Sequence, residues 1–205
     1  MFKTILAAAP VLALAGCIHA GHHEHHMHEM HGGEAGGMMM HAPVEGPSHT
    51  APEPAKANAT ILGEGGVEIG HARFEQGPTG VLIRMEIGAG GLTPGWHGLH
   101  LHEIGDCSDV GAYKLSGGHH GKEEGAHGLM NPDLGPEPGD LPNAWAAADG
   151  SVGYEAFTLL TELAPALDAD GLSIIVHASE DDHRSQPIGG AGARVACGVI
   201  QRADG

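Results

Sequence analysis

The sequence predicts an all-β domain of many short strands, with two long loops and a polar tail ahead of it. Three observations carry that expectation. Apolar and polar residues alternate with period two in short runs, clearest in "VEIGHARFEQ" and "GVLIRMEI", as in strands that bury one face. The composition holds 35 Gly and 13 Pro but only 3% aromatics, which suits turns between strands. No amphipathic helical pattern longer than about 12 residues interrupts these runs.

Two totals narrow the function. The 205-residue chain carries a formal net charge of −17, which argues against a nucleic-acid partner, because phosphate binding needs a basic face. It also carries 18 histidines. Imidazole is the commonest metal-ligating side chain, so their placement matters more than their number.

Residues 1–16, "MFKTILAAAPVLALAG", have one Lys, an apolar run of about a dozen residues and a small-residue end. That is an export signal, too short to span a bilayer. The ending "LAGC" resembles a bacterial lipobox, in which the chain is cut before the cysteine and the cysteine is lipidated. A lipid anchor at Cys17 and a place on the periplasmic side of the cell envelope are therefore expected. Ile18 offers no Asp-type inner-membrane retention signal, which favours the outer membrane. Export permits disulfides. With Cys17 lipidated, Cys107 and Cys197 remain, and pairing them closes a loop of about 90 residues.

Residues 17–58 form the expected tail and linker. "HHEHHMHEMHGGEAGGMMMH" holds almost nothing that could build a core, and "APVEGPSHTAPEPAKAN" reads as an extended tether. Nine of the 18 histidines and five of the eight methionines lie between His19 and His49. Thioether and imidazole together suit copper, Met favouring Cu(I), so the tail is expected to hold copper ions at several weak, interchangeable sites.

Residues 59–205 form the domain. "ATIL", "VEIGHARFEQ", "GVLIRMEI", "SVGYEAFTLL", "LSIIVHAS" and "RVACGVI" are its strand candidates. Residues 103–143 and 178–193 are long loops, and loops of that length in a compact domain are usually functional. In "HGLHLHE", residues 97–103, side-chain alternation puts His100 and His102 on one face and Leu99 and Leu101 on the other. The leucines fit a core, and the two imidazoles can share one ion. His97 has the opposite parity and is expected to be satisfied by backbone hydrogen bonds. "SGGHHGKEEGAHG" adds His119, His120 and His127, and "PGDLPN" adds Asp140. "IIVHASEDD" ends an apolar strand on His177, with Asp181 four residues on.

In order and spacing, "HGLHLHE", "SGGHH", "GDLPN", "IIVHASEDD" and "GGAGARVACGVI" resemble the copper,zinc superoxide dismutases, in particular their bacterial exported branch. The resemblance covers roughly residues 58–202 and implies an eight-stranded Greek-key β-barrel with two metal-binding loops. It also implies the Cys107–Cys197 bridge that cysteine counting suggests. By position it makes His100, His102, His119 and His177 copper ligands, with His119 bridging to zinc. His127 and Asp140 match zinc ligands. Asp181 matches a carboxylate that joins a copper-ligating and a zinc-ligating imidazole. Arg194 matches the arginine at the mouth of the copper channel. The implied activity is dismutation of superoxide to O2 and hydrogen peroxide by cycling of copper, with His119 also supplying a proton.

One position departs from the pattern. Relatives tend to carry a histidine three residues before the aspartate of "GDLPN", where this chain has Glu137. A carboxylate can ligate zinc. Glu137 as the remaining ligand, His120 in its place, and a site that binds zinc weakly, binds another ion or stays empty all stay open from sequence. The same residues would also suit a copper-binding or copper-delivery lipoprotein without dismutase activity. Members of the family occur as monomers and as homodimers, and the sequence does not choose between them.

Overall fold

The computed structural model of the chain describes residues 54–203, so Cys17 and the His/Met-rich tail between His19 and His49 lie outside the described residues. Nine strands follow in order: β1 (Lys56–Leu62), β2 (Glu68–Gln76), β3 (Val81–Ile87), β4 (Gly95–His97), β5 (Leu99–His102), β6 (Ala144–Ala146), β7 (Val152–Thr158), β8 (Leu172–His177) and β9 (Arg194–Arg202). One short helix, α1 (Leu163–Ala166), lies between β7 and β8. Seven strands form one antiparallel sheet in the order β5-β8-β9-β1-β2-β3-β7, curved into a half-barrel, and β4 pairs with β6.

The resemblance implies eight strands. The difference lies at Gly98, which separates β4 from β5. Its N–H donates to Ser179 O (2.8 Å) and its carbonyl accepts from His177 N–H (2.8 Å), so the loop after β8 interrupts the ladder there. Counted as one broken strand, residues 95–102 restore the total of eight.

Period-two burial explains which residues make the core. In β3, Val81, Ile83, Met85 and Ile87 are buried while Arg84 and Glu86 are exposed. Leu99 and Leu101 face the same core as Ile61, Phe74, Ile174 and Val176. Truncating either leucine to Ala costs about 2–5 kcal/mol at such a site. In β5 and β8 every residue is buried. One face of these strands meets the core, and the other is covered by the long loops that carry the site.

The domain begins earlier than the sequence suggests, because β1 starts at Lys56, inside the stretch assigned to the linker. Ala57 and Ala59 point inward and Lys56, Asn58 and Thr60 outward. Small inward residues in "KANAT" conceal a strand that pairing with β2 and β9 stabilises. The β6 strand, three residues long, was also not among the expected strands; such length gives alternation too few repeats to show.

Candidate metal centre

Backbone zippering brings the first long loop onto β5. Leu101 N–H donates to Gly139 O (2.8 Å), His120 N–H to Leu101 O (2.8 Å), and Gly139 N–H to His120 O (2.9 Å). These bonds set His119 beside His102 and Asp140 beside His100. A Cβ at Gly139 would press on Leu101 O and His120 N, so this approach needs glycine. The Cys107–Cys197 disulfide, with Cα atoms 5.8 Å apart, ties the start of the loop to β9.

His100, His102, His119 and His177 are buried, and each offers one ring nitrogen to a common cluster within 4.8 Å of the others. In every ring the second nitrogen is occupied. His100 Nε2 bonds Asp181 Oδ2 (2.7 Å), His102 Nδ1 donates to Gly117 O (3.1 Å), His119 Nδ1 bonds Glu137 Oε2 (2.7 Å), and His177 Nδ1 donates to Gly192 O (3.0 Å). The nitrogens left over, His100 Nδ1 and the Nε2 atoms of His102, His119 and His177, are buried without a hydrogen-bond partner. Four orphaned imidazole nitrogens converging on one point fit a copper ion.

Burial, chiefly, lowers the pKa of His100 to about 4, of His177 to about 3 and of His102 to about 2. Neighbouring imidazoles add to the effect in all three, as Arg194 does for His102 and His177. All three are neutral near pH 7, and the proton on the occupied nitrogen leaves a lone pair on the free one.

A second set adjoins the first through His119. His119, His127 and Asp140 lie within 4.8 Å of one another, as does His100. His100, however, has its Nε2 committed to Asp181 and its free Nδ1 in the first cluster. Glu137, 2% exposed, comes in its place, with Oε2 2.7 Å from His119 Nδ1 and 3.9 Å from His127 Nδ1. Asp140 Oδ1 lies 2.8 Å from His127 Nδ1 and 3.6 Å from His119 Nδ1. His127 Nδ1 and Asp140 Oδ1 are close, yet neither has a hydrogen bond of proper geometry. Such a close, unbonded pair leaves both atoms free for a shared ion. The donor set of two imidazoles and two carboxylates suits zinc.

Asp181 joins the two sets. Its Oδ2 meets His100 Nε2, and its Oδ1 lies 3.3 Å from His127 Nε2. Burial works against charge on Asp140 and Asp181. The adjacent imidazoles of His119 and His127 and the bond from Gly128 N–H hold Asp140 well below the usual carboxylate range all the same, as His100, His127 and His183 N–H do Asp181. Burial likewise opposes charge on His127, but the two aspartates outweigh it and raise its pKa to about 10. The place between these carboxylates demands a cation.

A mouth of about 120 Å³, lined by His102, His119, His177, Lys122 and Arg194, opens onto the first cluster. Arg194 donates to Tyr113 O (2.6 Å), Ser116 Oγ (2.9 Å) and Gly117 O (2.7 Å), which fixes its guanidinium at the rim.

Of the residues singled out from sequence, His100, His102, His119, His177, His127, Asp140, Glu137, Asp181 and Arg194 thus come together. His120 does not: it is half-buried and outside both sets. Its backbone bonds to β5 place adjacent residues on opposite sides, so His119 and His120 cannot both face the ions. His97 bridges two carbonyls, His177 O (2.6 Å) and Thr93 O (2.8 Å), as its parity suggests. Sequence reasoning missed Asn143, which clamps the Asp181 backbone through Nδ2 to O (2.8 Å) and Oδ1 from N–H (3.0 Å). It missed Lys122 at the mouth and Gly189 behind Asp181 as well. Asn143 ends the "GDLPN" motif, but nothing in the sequence says what it touches.

Residues 68–200 match the family model described as copper/zinc superoxide dismutase. A protein of Caulobacter vibrioides named superoxide dismutase [Cu-Zn] is 49% identical over 152 residues, covering 71% of this chain and 85% of the relative. An Aquifex aeolicus protein named superoxide dismutase [Cu-Zn] 1 is 35% identical over 152 residues, covering 71% of this chain and 88% of that one. Among solved structures, a SOD-like protein from Bacillus subtilis is similar with a TM-score of 0.63 and 30% identity, over 70% of this chain and 97% of that one. The Cu/Zn superoxide dismutase from Brucella abortus is similar with a TM-score of 0.59 and 28% identity, over 71% and 99%.

Proposed function

The chain belongs to the copper/zinc superoxide dismutase family, and from that premise we propose how its own residues divide the work. The enzyme converts superoxide to O2 and hydrogen peroxide with copper and zinc as cofactors. His100, His102, His119 and His177 would hold copper, and His119, His127, Asp140 and Glu137 would hold zinc. The observation that carries this assignment is the set of four buried, unpartnered imidazole nitrogens facing one point. Copper held there would supply the one-electron redox chemistry that dismutation of superoxide requires.

The protein side of the reaction follows from the geometry. The substrate is an anion and the chain carries −17, so capture needs a local positive focus. Arg194, fixed by three acceptors at the rim, supplies it. His119 lies between the two ligand sets and lines the mouth, where its imidazole can pass a proton to the reduced product. Asp181 orients the rings of His100 and His127 together, so the two sets keep one geometry.

The N-terminal residues give this enzyme its place. "LAGC" supports export and a lipid anchor at Cys17, on the periplasmic side of the outer membrane, where the enzyme protects the envelope from superoxide. The nine histidines and five methionines between His19 and His49 bind copper for delivery to the domain. Trp96 and Trp145, opposite each other on β4 and β6 and about half exposed, supply the apolar contact of a homodimer. Dismutation assayed on protein with full copper occupancy tests the catalytic reading; no activity at full occupancy would leave a copper-delivery lipoprotein instead.

A further inference from the structure

We propose that Glu137 sorts the metals: as the fourth ligand of the second site it admits zinc and keeps copper out, so that copper settles only among the four imidazoles. This rests on the ligand role given to Glu137 above and extends it to the choice of ion.

The two sites differ in donor type more sharply than a single carboxylate would make them. The first set consists of four imidazole nitrogens. The second pairs two imidazoles with two carboxylates that are 2% and 1% exposed. Four-coordinate zinc with bonds of about 2.0–2.2 Å needs ligand atoms about 3.3–3.6 Å apart. The four separations between these imidazole and carboxylate atoms, 2.7, 2.8, 3.6 and 3.9 Å, bracket that spacing. Each carboxylate spends one oxygen on backbone and turns the other to the imidazoles. Glu137 Oε1 accepts from Glu123 N–H (3.2 Å), and Asp140 Oδ2 accepts from Gly128 N–H (2.7 Å) and Glu137 N–H (2.9 Å). Among the described residues no Lys or Arg is within ion-pair reach of either carboxylate, and their only ion-pair partners are His119 and His127. Two buried carboxylates so placed suit a dication.

For a given set of donors copper(II) binds more tightly than zinc, so selectivity has to come from donor type and geometry. Imidazole suits both ions, whereas carboxylate oxygen moves the preference away from copper and most strongly from soft Cu(I). Two carboxylates neutralise a dication; around Cu(I) they leave a net negative charge buried, which is costly. Exchanging imidazole for Glu137 therefore weakens the hold on copper in both oxidation states relative to zinc.

The test uses the full chain, stripped of metal and then offered one equivalent of zinc and increasing copper. Dialysis against free histidine clears loosely held ions, and zinc and copper per chain are counted by mass spectrometry. Wild-type protein should keep one zinc. Glu137→Gln should lose it, and Glu137→His should keep zinc alone but surrender it at a copper excess lower by roughly tenfold or more, since even the outer partners of ligands shift affinity that far. Glu137→His that resists copper like the wild type, while Glu137→Gln loses zinc, overturns the sorting role and leaves the ligand role intact. Zinc held equally by all three removes the ligand role itself. Glu137→Asp keeps the charge at shorter reach and guards against misfolding of Glu137→His; copper displacing zinc there as easily as imidazole would allow also overturns the proposal.

Discussion

Gly189→Ala should loosen both metals without touching either ligand set. Gly189 sits at φ +61° directly behind Asp181, and a Cβ there would overlap Asp181 Oδ1 and Cγ, with Asp182 N only 3.1 Å away. The neighbouring backbone leaves little room, so the carboxylate has to retreat by roughly 2 Å to regain ordinary carbon–oxygen contact. That movement breaks three interactions at once: Oδ2 to His100 Nε2 at 2.7 Å, Oδ1 to His127 Nε2 at 3.3 Å, and Oδ1 from His183 N–H at 2.6 Å. Losing such an orienting carboxylate typically weakens metal binding 10–100-fold, about 1.4–2.8 kcal/mol. The left-handed backbone adds a folding cost of about 1–2 kcal/mol for a residue with a Cβ. Chelator competition on the loaded protein reads the two affinities separately, and both should fall, because Asp181 contacts one imidazole of each set. Unchanged affinities would refute the idea that Asp181 holds the two sets in register, and loss of zinc alone would refute its link to His100.

Three further outcomes follow from the same geometry. Arg194→Glu should lower kcat/KM and change the sign or size of its salt dependence, because it replaces the positive focus at the mouth; unchanged kinetics would remove the steering role. Metal-free protein should lose stability as the pH falls from 6.5 toward 5. His100, His102 and His177 have folded pKa values of about 4, 2 and 3, so the unfolded chain takes up their protons first. The cost is at most about 2 kcal/mol per histidine at pH 5, and a flat urea-unfolding profile across that range would contradict it. His127, raised to about 10, contributes fully below its unfolded value of 6.5 and loses that contribution progressively as the pH rises from there to about 10, so it does not mask the acid effect. Replacing Cys107 and Cys197 with Ser removes a cross-link over a separation of 90 residues, worth about 4–5 kcal/mol in chain entropy, and should lower Tm with or without metal.

The sequence was most informative where chemistry and parity coincide. Alternation in "HGLHLHE" separated the core-facing leucines from the ion-facing histidines, and both stand so in the fold. Family resemblance supplied residues that periodicity alone cannot find, such as His119 and Asp140. These sit on a loop whose path depends on three backbone bonds to β5 and on the absence of a side chain at Gly139. Contacts of that kind leave no local pattern. Asn143 and Gly189 stayed hidden for the same reason, since their importance lies in a neighbour about 40 and 8 residues away in the chain. The start of β1 was obscured by composition, because inward-facing alanines in "KANAT" look like linker. Between Glu137 and His120, the zipper onto β5, which leaves no local sequence pattern, turns His120 away and points Glu137 at His119.

Catalysis depends first on the four converging imidazoles forming the copper site. Pulse radiolysis of the full chain at graded copper loading, with zinc held constant, measures it directly. The catalysed decay of superoxide should rise in proportion to copper at that site and vanish in His177→Ala at equal total copper. Superoxide decaying at the spontaneous rate with the site fully occupied, or undiminished activity in His177→Ala, would contradict the claim.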